Sequence, residues 1–197
     1  MKPFAESSEQ NKMPILAILK PYLQNAESVL EIGSGTGQHA VFFAEQFSHL
    51  TWITSDQADY HAGINMWLEE SSQENIQGPF LLDVDQQDWP IETTDAVFSA
   101  NTVHIMGWPS VVNMFAGIGR VLNKGGYFCL YGPFNYNGQF SSESNANFDA
   151  WLKQRDPVSG VRDFDALQEL AEKAGLTFIH DHEMPANNRI LVWQKVN

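Results

Sequence analysis

Three groups of residues in this chain have the types and spacing to hold a nucleoside. The first is Glu31-Ile-Gly33-Ser34-Gly35-Thr-Gly37, where glycines permit a tight turn and bring backbone N–H groups close to a ligand at the start of a helix. The second is Asp56, roughly 20 residues further on, where a carboxylate at a strand end can accept both hydroxyls of an adenosine ribose. The third is Leu82-Asp83-Val84, whose acid can take an adenine amino group while the Val84 N–H meets a ring nitrogen. Alone, each aspartate reads equally well as a turn former or a helix cap. Together with the glycine turn they fall at the carboxyl ends of three successive expected strands, where open α/β sheets bind ligands. Position 38 is Gln, so the dinucleotide pattern G-x-G-x-x-G fails while G-x-G-x-G is met, and no Gly-Lys-Ser/Thr follows for a phosphate loop.

A second set of residues could act on whatever lies beside such a nucleoside. His104 follows the fourth expected strand and can serve as a base near neutral pH, although a histidine there also serves as a hydrogen-bonded structural residue. Tyr131, Phe134, Asn135 and Tyr136 lie at or beyond the fifth expected strand. The polar stretch that follows, from Gly132 to Asn147 and on to residue 162, has the length of a lid or substrate loop rather than a plain connection. Asn187 and Asn188 occupy an expected hairpin tip, where Asn also serves the turn itself. Of the six tryptophans, Trp108 in Gly107-Trp-Pro109 is the candidate for an acceptor contact, the others reading as packing. Asn11 and Lys12 precede a short helix in a segment, residues 1–24, that can close over the ligand or merely cover the sheet. No metal-ligand spacing stands out, since His180 and His182 lack a third nearby donor. No G-x-S-x-G elbow occurs either.

The elements that must position these residues alternate apolar runs with amphipathic stretches, the pattern of a parallel sheet flanked by helices. Strands are expected at Ser28 to Ile32, Leu50 to Ser55, Phe80 to Val84, Asp95 to Ala100 and Tyr127 to Tyr131. Helices are expected at Gln38 to Phe47, at His61 to Glu70, from Val111 to a stop at Gly125-Gly126, and from Phe164 to Gly175. A short N-terminal helix is expected to break at Pro21. Thr177 to His182 and Ile190 to Lys195 form a terminal antiparallel hairpin. The expected architecture is one Rossmann-like three-layer domain over residues 1–197, with about seven strands.

Composition narrows the partners. A formal charge of -13 with only 11 Lys and Arg gives a field that repels phosphate backbones, so no nucleic-acid partner is expected. Cys129 is the only cysteine and sits in an apolar run, which fits a buried thiol in a reducing compartment. No secretory signal or membrane-spanning stretch is visible, and a cytoplasmic protein is expected.

Glu31 to Gly37, Asp56, Asp83 and the segment from Asn101-Thr-Val-His-Ile through Arg120-Val-Leu-Asn-Lys-Gly-Gly126 resemble the motifs of class I S-adenosylmethionine-dependent methyltransferases. More narrowly, the chain resembles the domain-of-unknown-function 938 (methyltransferase-like 26) family. Asn11-Lys-Met-Pro-Ile-Leu16, Asp95 to Asn101, Tyr131-Gly-Pro-Phe134, Ser144 to Asp149, Arg155-Asp-Pro157 and Met184 to Asn188 carry that resemblance. It implies a class I methyltransferase fold and S-adenosylmethionine as cofactor. Asn11, Glu31, Gly33, Ser34, Gly35 and Gly37 would hold it with Asp56, Gln57, Asp83, Val84 and Asn101. It also implies a small-molecule acceptor near Trp108, Phe134, Asn135, Asn187 and Asn188, with His104 and Tyr131 as the catalytic candidates. A protein that keeps the cofactor pocket without turnover is the alternative. The acceptor atom and the oligomeric state stay open.

Overall fold

The computed structural model describes residues 2–196. Its chain order is α1 (Glu6–Leu23), β1 (Ser28–Ile32), α2 (Gln38–Gln46), β2 (Thr51–Asp56), α3 (Ala58–Glu69), β3 (Ile76–Leu81), β4 (Thr94–Ala100) and α4 (Trp108–Val121). It continues with β5 (Leu122–Gly132), β6 (Phe134–Tyr136), β7 (Gln139–Phe140), α5 (Glu143–Arg155), β8 (Arg162–Asp163), α6 (Phe164–Lys173), β9 (Leu176–Met184) and β10 (Asn188–Lys195). One sheet of seven strands runs in the order β3-β2-β1-β4-β5-β10-β9. Its first five members are parallel, and β10 enters antiparallel to both β5 and β9.

Two cores, one on each face, hold this sheet. Leu30, Ile32, Val97, Phe128, Leu130 and Trp193 face one way, against α4 and α6. Val29, Trp52, Phe98, Cys129 and Val192 face the other, against α1 and α2. Strands buried on both faces read as near-continuous apolar runs, which is why β1, β4 and β5 stand out in the sequence. Burial also pushes the Cys129 thiol up to about 12, so it stays protonated and inert.

Four expectations need correction. The third strand is Ile76–Leu81 rather than Phe80 to Val84; it is an exposed edge, where Pro79 is tolerated, while the buried Leu82 and Val84 lie just beyond it. The helix after Trp108 ends at Val121, because Leu122 turns extended and pairs with Thr94, so Gly125-Gly126 lies within β5. Helix α1 runs unbroken through Pro14 and Pro21. Each proline removes one backbone hydrogen bond, and the buried stripe Ile15, Leu19 and Leu23 outweighs that loss. The stretch expected to be a loop from Gly132 to Asn147 instead contains β6, β7 and the first turns of α5; β7-β6-β8 form a separate three-stranded sheet. No helix among the described residues is long and apolar enough to cross a membrane.

Asn75 shows how connections are fixed at the edge away from the glycine turn. Its side-chain amide donates to the carbonyls of Ala44, Phe47 and Leu50 at 3.0, 3.2 and 2.9 Å, closing the end of α2 against the approach to β3. Asn75→Ala leaves those carbonyls short of partners, and chemical denaturation is expected to show a loss of about 2 kcal/mol.

Candidate functional site

The turn between β1 and α2 is built from the strand upward. The N–H groups of Gly33 and Ser34 both donate to the Ser55 carbonyl at 3.0 Å, tying the turn to the end of β2. Behind it, the Glu31 carboxylate accepts the Ser34 hydroxyl at 2.9 Å and the Trp52 indole N–H at 3.1 Å. Burial pushes Glu31 up to about 7, opposed by those two hydrogen bonds. Gly33 lies against Thr102, whose Oγ1 would sit 2.8 Å from any added Cβ, so no side chain fits. Gly35 differs: it has φ +59, and the space where a Cβ would point is empty.

Asp56 closes this turn from β2. Its Oδ2 accepts the Gly35 N–H at 2.7 Å and its Oδ1 accepts the Gln57 N–H at 2.7 Å. Burial raises its pKa, against the two backbone N–H groups that favour the carboxylate. Asp56 and Gly35 line a cleft of about 490 Å³ together with Gln57, Asp83, Val84 and Asn101. Asp83 follows β3 instead of ending it, and one of its oxygens accepts the Asp85 N–H at 3.0 Å. The glycine turn and both aspartates therefore meet at one cleft, as their order along the chain led us to expect.

A larger cavity of about 890 Å³ adjoins the first. Ser7, Tyr60, Asn101 and Ile105 line both. Asn101 sits at this junction with φ 58, its N–H donating to the Tyr131 carbonyl at 2.9 Å. A left-handed asparagine held between two strand ends is the kind of local strain that clusters at binding sites. His104 and Tyr131 line the larger cavity, exposed by 4% and 3%. Burial and the nearby Arg162 guanidinium bring His104 down to about 4, and its Nδ1 is buried without a hydrogen-bond partner. Its ring meets Phe148 of α5 edge-on at 5.2 Å.

Several expected residues stand elsewhere. Asn11 faces the larger cavity instead of the cleft, and its Oδ1 lies 2.7 Å from His39 Nε2. Glu31 and Gly37 support the turn from outside the cleft lining. Trp108 opens α4 and lines neither cavity, its ring lying 6.0 Å from the Arg162 guanidinium. Phe134 is fully buried in the core, and Asn135 turns its amide toward the Val161 carbonyl. Of the hairpin asparagines, Asn188 reaches the cavity wall. Asn187 instead ties the hairpin to α5, donating to the Ser144 hydroxyl at 2.9 Å and accepting from Asn145 at 3.0 Å.

The N-terminal segment contributes to the lining of the cleft. Ala5, Ser7 and Ser8 line it, the Ala5 N–H donates to Gln38 Oε1 at 2.6 Å, and the Pro3 carbonyl accepts the Trp67 indole N–H at 2.7 Å. The reading from sequence missed Tyr60, Ile105, Phe148 and Trp151. The last two lie on α5, whose buried side chains include Asn145 and Asp149, so no apolar stripe announces the helix.

Gly35 offers a direct test of the cleft. Gly35→Val places a side chain into the empty space and costs the fold about 1 to 2 kcal/mol through its left-handed backbone. Thermal denaturation is expected to find a folded variant with no ligand-induced shift for any adenosine-containing molecule that stabilises the parent.

A family model described as "Protein of unknown function (DUF938)" matches residues 2–195. Among solved structures, an O-methyltransferase family protein from Burkholderia thailandensis superposes with a TM-score of 0.84 at 11% identity, over 94% of this chain and 56% of that one. An O-methyltransferase family 2 protein from Planctomyces limnophilus in complex with apigenin gives 0.83 at 13%, over 96% and 58%. Human N-acetylserotonin methyltransferase in complex with S-adenosylmethionine gives 0.81 at 15%, over 98% and 53%. The chain thus spans a little over half the length of these proteins and has the class I methyltransferase fold.

Proposed function

This chain belongs to the DUF938 family, and from that premise we propose that it is an S-adenosylmethionine-dependent methyltransferase acting on a hydroxyl group of a small molecule. One observation carries the reading: Asp56 is fixed by the Gly35 and Gln57 N–H groups at the lip of a cleft that is empty where a Gly35 side chain would stand. Asp56 would take the ribose hydroxyls, Asp83 and the Val84 N–H the adenine edge, and Asn101 the end nearest the larger cavity. The cleft volume of about 490 Å³ lies within the range of small-molecule sites. The methyltransferases that superpose on this chain, one holding S-adenosylmethionine, support the cofactor assignment. The label methyltransferase-like 26 rests on the sequence resemblance alone.

When bound, the cofactor supplies an electrophilic methyl group on a sulfonium. The residues of this chain do the remainder by position and by excluding water. His104, neutral at physiological pH, would accept the proton of an acceptor hydroxyl. Tyr131, its pKa raised by burial, stays protonated and donates a hydrogen bond into the same space. A binding protein without turnover has no need of a second cavity joined to the cofactor cleft; the open volume of about 890 Å³ beside His104 favours the enzyme. Calorimetry with S-adenosylmethionine and S-adenosylhomocysteine is expected to show saturable binding, and silence at millimolar ligand would overturn the proposal.

A further inference from the structure

The wall of the larger cavity contributed by α5 and its neighbours has a definite order. His104 meets Phe148 edge-on with ring centroids 5.2 Å apart. Phe148 stacks on Trp151 at 5.8 Å and 18°. The Arg155 guanidinium then lies over Trp151 at 4.6 Å. A proton acceptor, two stacked and nearly parallel rings and a cation therefore follow one another along a single wall.

The chemistry of each station limits what can lie there. A flat, conjugated body is favoured alongside the Phe148–Trp151 stack, because edge-to-face contacts with the two rings add to the burial of its area. His104 stands at the head of that stack and lines the same cavity, where a hydroxyl on such a body meets it. Among the described residues, the ion pairs engage Lys2, Lys12, Lys153 and Arg189, leaving Arg155 without a carboxylate partner. Arg155 is the one cation in this wall. The one carboxylate in the wall, Asp156, already accepts the Val158 N–H through Oδ1 at 3.2 Å. A planar guanidinium stacked on an indole keeps its in-plane N–H groups free for a carboxylate, which it can grip with two bonds.

Building on the methyltransferase reading above, we propose that the acceptor is an aromatic hydroxy acid, with its ring alongside Phe148 and Trp151, its hydroxyl at His104 and its carboxylate at Arg155. In the reaction the hydroxyl oxygen forms a bond to the methyl carbon as the carbon–sulfur bond breaks. The electron pair of that bond returns to sulfur, giving the neutral thioether, and the hydroxyl proton passes to His104.

The test uses 6-hydroxy-2-naphthoate and its methyl ester, titrated calorimetrically into the whole protein with and without S-adenosylhomocysteine. The acid is expected to bind about tenfold tighter than the ester, and Arg155→Met to remove that advantage while changing ester binding less than about twofold. Trp151→Ala is expected to weaken both ligands. Arg155 is exposed and free of ion pairs, so its substitution spares the fold. No binding of the acid, equal binding of acid and ester, or an acid affinity indifferent to Arg155→Met would each overturn the assignment. Titration of S-adenosylhomocysteine alone reads the cofactor proposal separately, because acid and ester are compared in its absence as well.

Discussion

An Asp56→Ala variant is expected to bind S-adenosylmethionine about ten- to a hundredfold more weakly than the parent, a loss of roughly 1.5 to 3 kcal/mol, the scale for hydrogen bonds to a charged group. The carboxylate has two tasks here, and they need separate readouts. It anchors the glycine turn through the Gly35 N–H at 2.7 Å and presents its remaining lone pairs to the cleft. Asp56→Asn keeps an acceptor for the Gly35 N–H but sets its NH2 group against the Gln57 N–H and makes a poorer partner for two ribose hydroxyls. Its affinity and its thermal stability are both expected to fall between those of the parent and Asp56→Ala. Calorimetric affinities that do not change across this series would show that the carboxylate faces no ligand.

The second large effect is expected at His104. His104→Gln should lower the methyl-transfer rate by about 10²- to 10⁴-fold, the contribution of a positioned base, and leave cofactor affinity within about twofold. The pH profile carries the sign. With its pKa brought down to about 4 by burial and Arg162, His104 is already neutral across the physiological range. Transfer in the parent is therefore expected to stay flat above about pH 5 and to fail as pH drops through about 4, where protonation removes the accepting lone pair. Steady-state formation of S-adenosylhomocysteine measures both. A loss under tenfold for His104→Gln would remove the base role and leave the histidine as part of the aromatic wall.

The cleft at the glycine turn was legible in the sequence because its determinants are local. A buried strand, a glycine turn and a helix start lie within residues 28–46. Asp56 was readable for the same reason, as the residue that ends the next buried strand. Errors gathered where burial and secondary structure part company. Leu82 and Val84 are buried but lie past the end of β3, none of whose own residues is buried, so the apolar run pointed to the wrong segment.

The acceptor side was less readable, because its residues meet only through tertiary structure. His104 could be picked out by its chemistry, but its partner Phe148 lies far along the chain on a helix that buries Asn145 and Asp149. Asp149 is held there by Lys153 at 2.7 Å and by the Val161 N–H at 2.8 Å, a polar anchor with no apolar period to reveal it. Trp108 shows the opposite failure: its position after β4 suggested the pocket, yet the turn into α4 swings it outside both cavities.

Ser7, Tyr60, Asn101 and Ile105 stand in a party wall between the two cavities. Any molecule that orders these four side chains from one room alters the surface offered to the other. Thermodynamic reciprocity then requires that whatever factor the first guest imposes on the affinity of the second, the second imposes on the first. Titrating each in the presence of the other would read that wall as a single coupling constant.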